Sequence, residues 1–202
     1  MPIVERIKSI ILKPKEEWAV IAGETSSTAD LLKNYALPLA AIGAIAGFIG
    51  ASIVGVTIPF IGTYRAPMVT GLVGGVVGLA IQLASVFVLG LVIDALAPKF
   101  GGEKNSAQAL KLAVYSFTPG WVAGALRLLP SLGILAALAG LYGIYVLYLG
   151  LPRLMKCPQD KAVSYTLVVV ACGIGIFLVT GLVTGAIVGA GAMATGGIPS
   201  VR

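Results

Sequence analysis

The chain has no histidine in 202 residues, and only 11% of its side chains are charged. The commonest general base and the commonest transition-metal ligand are therefore both missing. Only two cysteines occur, Cys157 in a basic loop and Cys172 inside an apolar run. Two thiols at different membrane depths give neither a metal-ligand spacing nor a disulfide. Of the eight acids, Asp94 alone falls within an apolar run, so no pair of carboxylates is set up for acid and base roles. Catalytic residues, a metal site and a cofactor are accordingly not expected. The first apolar stretch, residues 7–12, is shorter than a signal-peptide core and is followed by Lys13 and Lys15, so no cleavable signal is expected either.

What the chain has in excess is hydrocarbon: 58% hydrophobic residues and a mean hydropathy of +1.00. Average soluble proteins carry about a quarter of their residues as charges. A soluble core this apolar would lack the polar residues to cover it, so the fold class expected is an all-α integral membrane protein. The net charge of +6 sits in short clusters beside apolar runs rather than along one stripe, and no base-stacking motif accompanies it, which excludes a nucleic-acid partner.

Five apolar runs are long enough to cross a bilayer, at about 20 residues per helical span: residues 35–56, 69–97, 112–129, 132–151 and 163–191. Pro38 is expected to kink the first, and Thr118, Pro119 and Gly120 interrupt the third. Residues 57–68 read as a loop, Pro130 and Ser131 as a tight turn, and residues 192–202 as a loose tail. With the N-terminus inside, the inner segments hold eleven basic residues and the outer ones Arg65, Arg127 and Arg202, which predicts an N-in, C-out topology with a cytoplasmic N-terminus. Residues 1–34 read as a water-facing or interfacial segment. Ile3, Val4, Ile7, Ile10 and Ile11 form the apolar face of a short amphipathic helix, with Glu5, Arg6, Lys8 and Ser9 elsewhere. That helix either lies in the interface, with Trp18 as a second anchor, or packs under the bundle. Ser27 and Asp30 give a capping pattern for the next helix.

The stretch LYGIYVLYLGLPRLMKCPQDKA at residues 141–162 puts Tyr142, Tyr145 and Tyr148 on one helix face, then ends the helix and turns basic. Its spacing resembles the Yip1 family of multi-span membrane proteins, in particular the small bacterial members. LKPKEEWAVIAGE at 12–24, PLAAIGAIAGFIG at 38–50, IDALAPKFGG at 93–102 and YSFTPGWVAG at 115–124 resemble the same group. The resemblance implies five helices, N-in and C-out, in an inner (plasma) membrane. It also implies a role in association with lipids and other membrane proteins, in membrane organisation or trafficking. In the eukaryotic branch it implies small trafficking GTPases as partners. This chain has no DLYGP-type signature and a short N-terminal segment, which speaks against GTPase binding.

Three sets of residues carry the remaining functional expectations. Asp94 and Gln82 are polar groups within the second run; an intramembrane acid marks a proton or cation site, and the pair defines the competing reading of a small transporter or channel subunit. The bland reading places Asp94 at the rim beside Pro98 and Lys99 and makes Gln82 an interhelical hydrogen bond. Arg153, Lys156 and Lys161 form a basic loop suited to anionic headgroups. Gly181, Gly185 and Gly189 recur every four residues in the last run, a spacing that permits close helix packing and a possible homo-oligomer.

Overall fold

The computed structural model describes residues 2–58, 62–129 and 132–194. The turn expected at Pro130 and Ser131 and the tail beyond residue 194 lie outside the described residues. Two short helices open the chain, α1 (Ile3–Leu12) and α2 (Pro14–Gly23), the second started by a proline whose missing N–H costs nothing at a first helical turn. The next helix begins as α3 (Thr28–Leu31), where Ser27 Oγ accepts the Asp30 N–H at 3.0 Å. It runs through a π-helical segment, Leu32–Ala36, into α4 (Leu37–Ile49) and a second π segment, Gly50–Val54. Pro38 cannot donate to the carbonyl four residues before it, and the wider π turn sits where that bond would form.

Gly55, at φ 91°, turns the chain into a small antiparallel hairpin of β1 (Val56–Ile58) and β2 (Gly62–Tyr64), so the segment expected to be plain loop carries two strands. Next come α5 (Met68–Leu96), α6 (Ser106–Ser116), α7 (Thr118–Ala123), α8 (Gly133–Leu154) and α9 (Gln159–Ala194). Among the described residues four helical stretches are long and apolar enough to cross a membrane: Thr28–Val54, Met68–Phe100, Ile134–Leu154 and Gln159–Ile187. The region expected as one further span, 112–129, is not one helix. Pro119 supplies no backbone donor and Phe117 interrupts the run, leaving α6, α7 and a 3-10 turn, Gly124–Leu128, in series.

The core is gathered around α6, in which Ala109 through Ser116 are all buried. Val86, Leu89 and Ile93 of α5 and Val146 and Leu151 of α8 close over it, and Tyr165 and Val169 of α9 join the same core from beside α5 and α8. Glycine lets the helices approach. A methyl at Gly90 would press on Leu110, one at Gly143 would stand 2.7 Å from the Ser116 carbonyl oxygen, and one at Gly150 would strike Leu112 and the Trp18 ring. The N-terminal segment is docked against this bundle: Ile10, Trp18 and Ile21 are buried in the common core. Trp18, read from sequence as a possible interfacial anchor, instead donates its indole N–H to the Val146 carbonyl at 3.0 Å. The Tyr142 hydroxyl likewise donates to the Ile11 carbonyl at 2.8 Å.

Candidate functional site

The densest polar chemistry lies where α1 and α2 meet α6. Arg6 sits one turn from Ile3 and Ile10, on the flank of the apolar face of α1, and is carried into the protein with them at 5% exposure. Its guanidinium donates to Glu17, which is buried, and to Glu24, which is half-exposed, and it lies 5.7 Å from the centroid of the Tyr115 ring. Glu17 lies on α2 and Glu24 is the extended residue that follows its last turn, so both ends of α2 supply a carboxylate to the same guanidinium. A buried guanidinium is tolerated only when its charge is met, and here two carboxylates and a ring face meet it. Burial works against the charged form, but the Glu24 hydrogen bond and the surrounding negative potential outweigh it, and the Arg6 pKa is raised.

The exposed carbonyls at the end of α2 are satisfied from α6. Gln108 Nε2 donates to the Ala22 carbonyl at 3.0 Å, and Lys111 Nζ donates to those of Ile21 and Glu24. Gln108 and Lys111 are three residues apart on one face, so α6 caps α2 with an amide and a cation at the negative end of its dipole. Tyr35 completes the cluster: its hydroxyl shares a 2.9 Å hydrogen bond with Thr118, and its ring packs edge-on to Tyr115 with centroids 4.8 Å apart.

Beside this cluster opens a cavity of about 590 Å³, walled by Arg6, Glu24, Asp30, Asn34, Tyr35 and Tyr115 among others. A second cavity, about 560 Å³, lies between α8 and α9 over Leu89, Ser116, Gly140 and Phe177, and its walls are almost wholly apolar. The exception is Ser116, whose Oγ is buried with no hydrogen-bond partner among the described residues.

The residues singled out from sequence are placed apart from the polar cluster. Asp94 and Gln82 are partly buried on α5, twelve residues and so about 18 Å apart along its axis, and neither lines either cavity described above. Among the described residues Asp94 Oδ1 is buried with no hydrogen-bond partner. Arg153, Lys156 and Lys161 are exposed, and Lys156 pairs with Glu103 at 2.7 Å. That pair and the Glu103 N–H bond to the Met155 carbonyl at 2.8 Å tie the loop before α6 to the loop after α8. Among the described residues a methyl at Gly181 or Gly185 would meet nothing within 4 Å, so neither packs against another described helix of this chain. Gly189 lies beyond the residues whose surroundings are described.

Sequence reasoning missed Arg6, Glu17, Glu24, Gln108 and Lys111 as a unit. The available signal was angular: Arg6 flanks the face that Ile3 and Ile10 define, and Gln108 and Lys111 share a face. Among the described residues no group of three or more histidine, cysteine, aspartate or glutamate side chains is placed to hold a metal ion.

Comparison with known proteins agrees with the membrane architecture. The Yip1 domain profile matches residues 8–194. Curated relatives include the inner membrane protein YohC of Escherichia coli K12 and its counterpart in strain O6:H1, each 29% identical over 164 residues, covering 80% of this chain and 84% of the relative. No solved structure matches.

Proposed function

The chain belongs to the Yip1 family of membrane proteins, and from that premise we propose that it works by association, with lipids and with other membrane proteins, and not by catalysis. The observation that carries this reading is where the buried polar groups are used. Arg6 and Glu17 join α1 to α2, and Lys111 and the Gln108 amide nitrogen tie α2 to α6, so this polar chemistry is spent on holding the fold. The long helices meanwhile expose broad apolar faces, such as Val69, Leu72 and Val76 on α5.

The reading includes five crossings in an inner membrane, N-terminus in the cytoplasm, with the third made by residues 112–129, where the end of α6, α7 and the 3-10 turn follow in series. Irregular backbone is tolerated at membrane depth where protein surrounds it, and α6 is buried along most of its length. Eleven basic residues on the inner segments against three on the outer support that orientation. Arg153 and Lys161, with Lys156 shared with Glu103, are then placed to contact anionic headgroups.

Two measurements test it. In a background with Cys157 and Cys172 replaced, single cysteines at positions 65 and 104 are labelled with an impermeant maleimide. Position 65 is expected to react only from outside and position 104 only from the cytoplasm; reaction of both from one side contradicts five crossings. The second concerns the transporter reading, which the unpartnered Asp94 Oδ1 favours. Proteoliposomes are expected to show no proton or sodium flux above empty vesicles, and a flux lost in Asp94→Asn would replace association with transport.

A further inference from the structure

A serine or threonine hydroxyl inside a membrane helix can donate to the carbonyl four residues before it, which spares it from facing hydrocarbon unpaired. Ser85, Thr166, Thr180 and Thr184 all do so, at 2.7–2.8 Å. Ser116, the last residue of α6, does not. It is 7% exposed and, among the described residues, its Oγ has no hydrogen-bond partner. It also forms part of the wall of the cavity of about 560 Å³ between α8 and α9. Ser52 lacks a partner too, but it packs against Gly71 and lines neither cavity described above. A buried water does not suit Ser116, since it requires roughly two to four polar partners and these walls are otherwise almost wholly apolar.

We propose that this cavity binds an uncharged fatty ester, a single hydrocarbon chain whose carbonyl oxygen accepts the Ser116 hydroxyl. A carbonyl accepts without donating, so that one bond leaves no donor of the ligand unpaired. Among the described residues no charged side chain lines the cavity, which excludes a carboxylate or phosphate head. Depth separates this ligand from a bilayer phospholipid. Ser116, Leu147, Val169 and Leu89 lie four, four, six and eight residues inside the cytoplasmic ends of their apolar runs, about 6–12 Å at the helical rise. A phospholipid holds its esters and phosphate at the headgroup interface, so its chain can fill the cavity but leaves Ser116 unmet. A quinone carries two carbonyls across one ring, whereas the wall offers one side-chain donor. Entry is from the side: Leu141, Ile174 and Phe177 line the cavity and are exposed on the surface of the bundle. The volume falls within the roughly 300–1,000 Å³ of small-molecule sites. The inference rests on the association reading, whose five crossings set the depth, and gives it a ligand.

The test uses the full chain in phosphatidylcholine nanodiscs and one photoactivatable palmitoyl chain, supplied either as its methyl ester or within phosphatidylcholine at the same mole fraction. The methyl ester is expected to label the α8 and α9 walls about fivefold more than the phospholipid probe, the scale of one neutral hydrogen bond. Excess unlabelled methyl palmitate should compete it away. Ser116→Ala is expected to bring the ester down to the phospholipid level. That variant deletes an unpartnered hydroxyl, so its unfolding temperature without added lipid should hold or rise, which separates lost binding from misfolding. Gly140→Leu places a side chain where a methyl meets nothing within 4 Å, on the cavity wall, and should reduce labelling by both probes. If a short-chain quinone competes more strongly than methyl palmitate and Ser116→Ala abolishes that competition, the carbonyl site stands and its ligand is a quinone. Equal labelling by the two probes, or an ester preference that survives Ser116→Ala, overturns the proposal. The maleimide and flux measurements read neither probe, so this inference and the association reading fail separately.

Discussion

The end of the bundle that carries α1 and α2 and the far half of α9 draw on the same small and apolar residues, yet they are packed in opposite ways. At the first end glycines are closed over: Gly143 faces the Ser116 carbonyl, and Gly150 faces Leu112 and Trp18. At the second, Gly175, Gly181 and Gly185 have open space where a side chain would be, and Phe177 and Leu182 are 73% and 76% exposed. Nothing among the described residues covers the far end, and its apolar faces suit lipid tails. The near end holds polar groups that lipid cannot satisfy, and the protein supplies most of their partners itself. The fold is thus specified at one end and solvated at the other.

The largest break in that contrast is expected from Arg6→Met. It strands Glu17, a buried carboxylate, without its cation, at a cost of about 3–5 kcal/mol. It should appear as a lower unfolding temperature and as protease cleavage near residue 13 under conditions where the wild type is intact. The double variant Arg6→Met/Glu17→Met should recover much of the loss, because the uncompensated charge goes with its partner. Wild-type stability in the single variant would mean that water reaches the cluster and that the two ends do not differ in this respect.

Glycine substitutions sharpen the comparison. Gly150→Ala forces a methyl into Leu112 and the Trp18 ring and is expected to cost about 1–3 kcal/mol. Gly181→Ala and Gly185→Ala meet nothing and should be neutral or stabilising by up to about 1 kcal/mol, the gain in helix propensity. Unfolding in mixed micelles reads all three. If Gly181→Leu/Gly185→Leu also lowers the cross-linked dimer fraction in membranes, the open stripe is a face between two copies of the chain. An unchanged fraction leaves it facing lipid.

Hydropathy made the long helices legible because a span declares itself within one window of sequence: the runs at 35–56, 69–97, 132–151 and 163–191 each fall largely inside a long helix. The 112–129 region was legible only as interrupted. Pro119 was visible, but whether it bends one helix or separates two depends on neighbours that can shelter the freed backbone. The docked N-terminus was illegible for a related reason. Arg6 meets Glu17 at a separation of 11 residues, but Lys111 reaches Ile21 across 90 and Trp18 reaches Val146 across 128. No local window contains both partners. Even the glycine pattern, which sequence displays fully, does not say which glycines are covered, since four-residue spacing is the same at both ends.

The smallest expected effect concerns Lys156, which takes a left-handed conformation at φ 52° just past the end of α8, where glycine is the usual residue. Relieving that backbone with Lys156→Gly should stabilise by roughly 1 kcal/mol. The same change removes the pair with Glu103, which is exposed on both sides and worth about 0–1 kcal/mol. The two terms nearly cancel, so the unfolding temperature should hardly move, while Glu103→Gln, which removes only the pair, should lower it slightly. A marked loss in Lys156→Gly with little change in Glu103→Gln would assign the lysine a role outside the pair, at a headgroup. Its strained conformation would then be kept for lipid contact, and the near end of the bundle would be specified by the membrane surface as well as by its own buried charges.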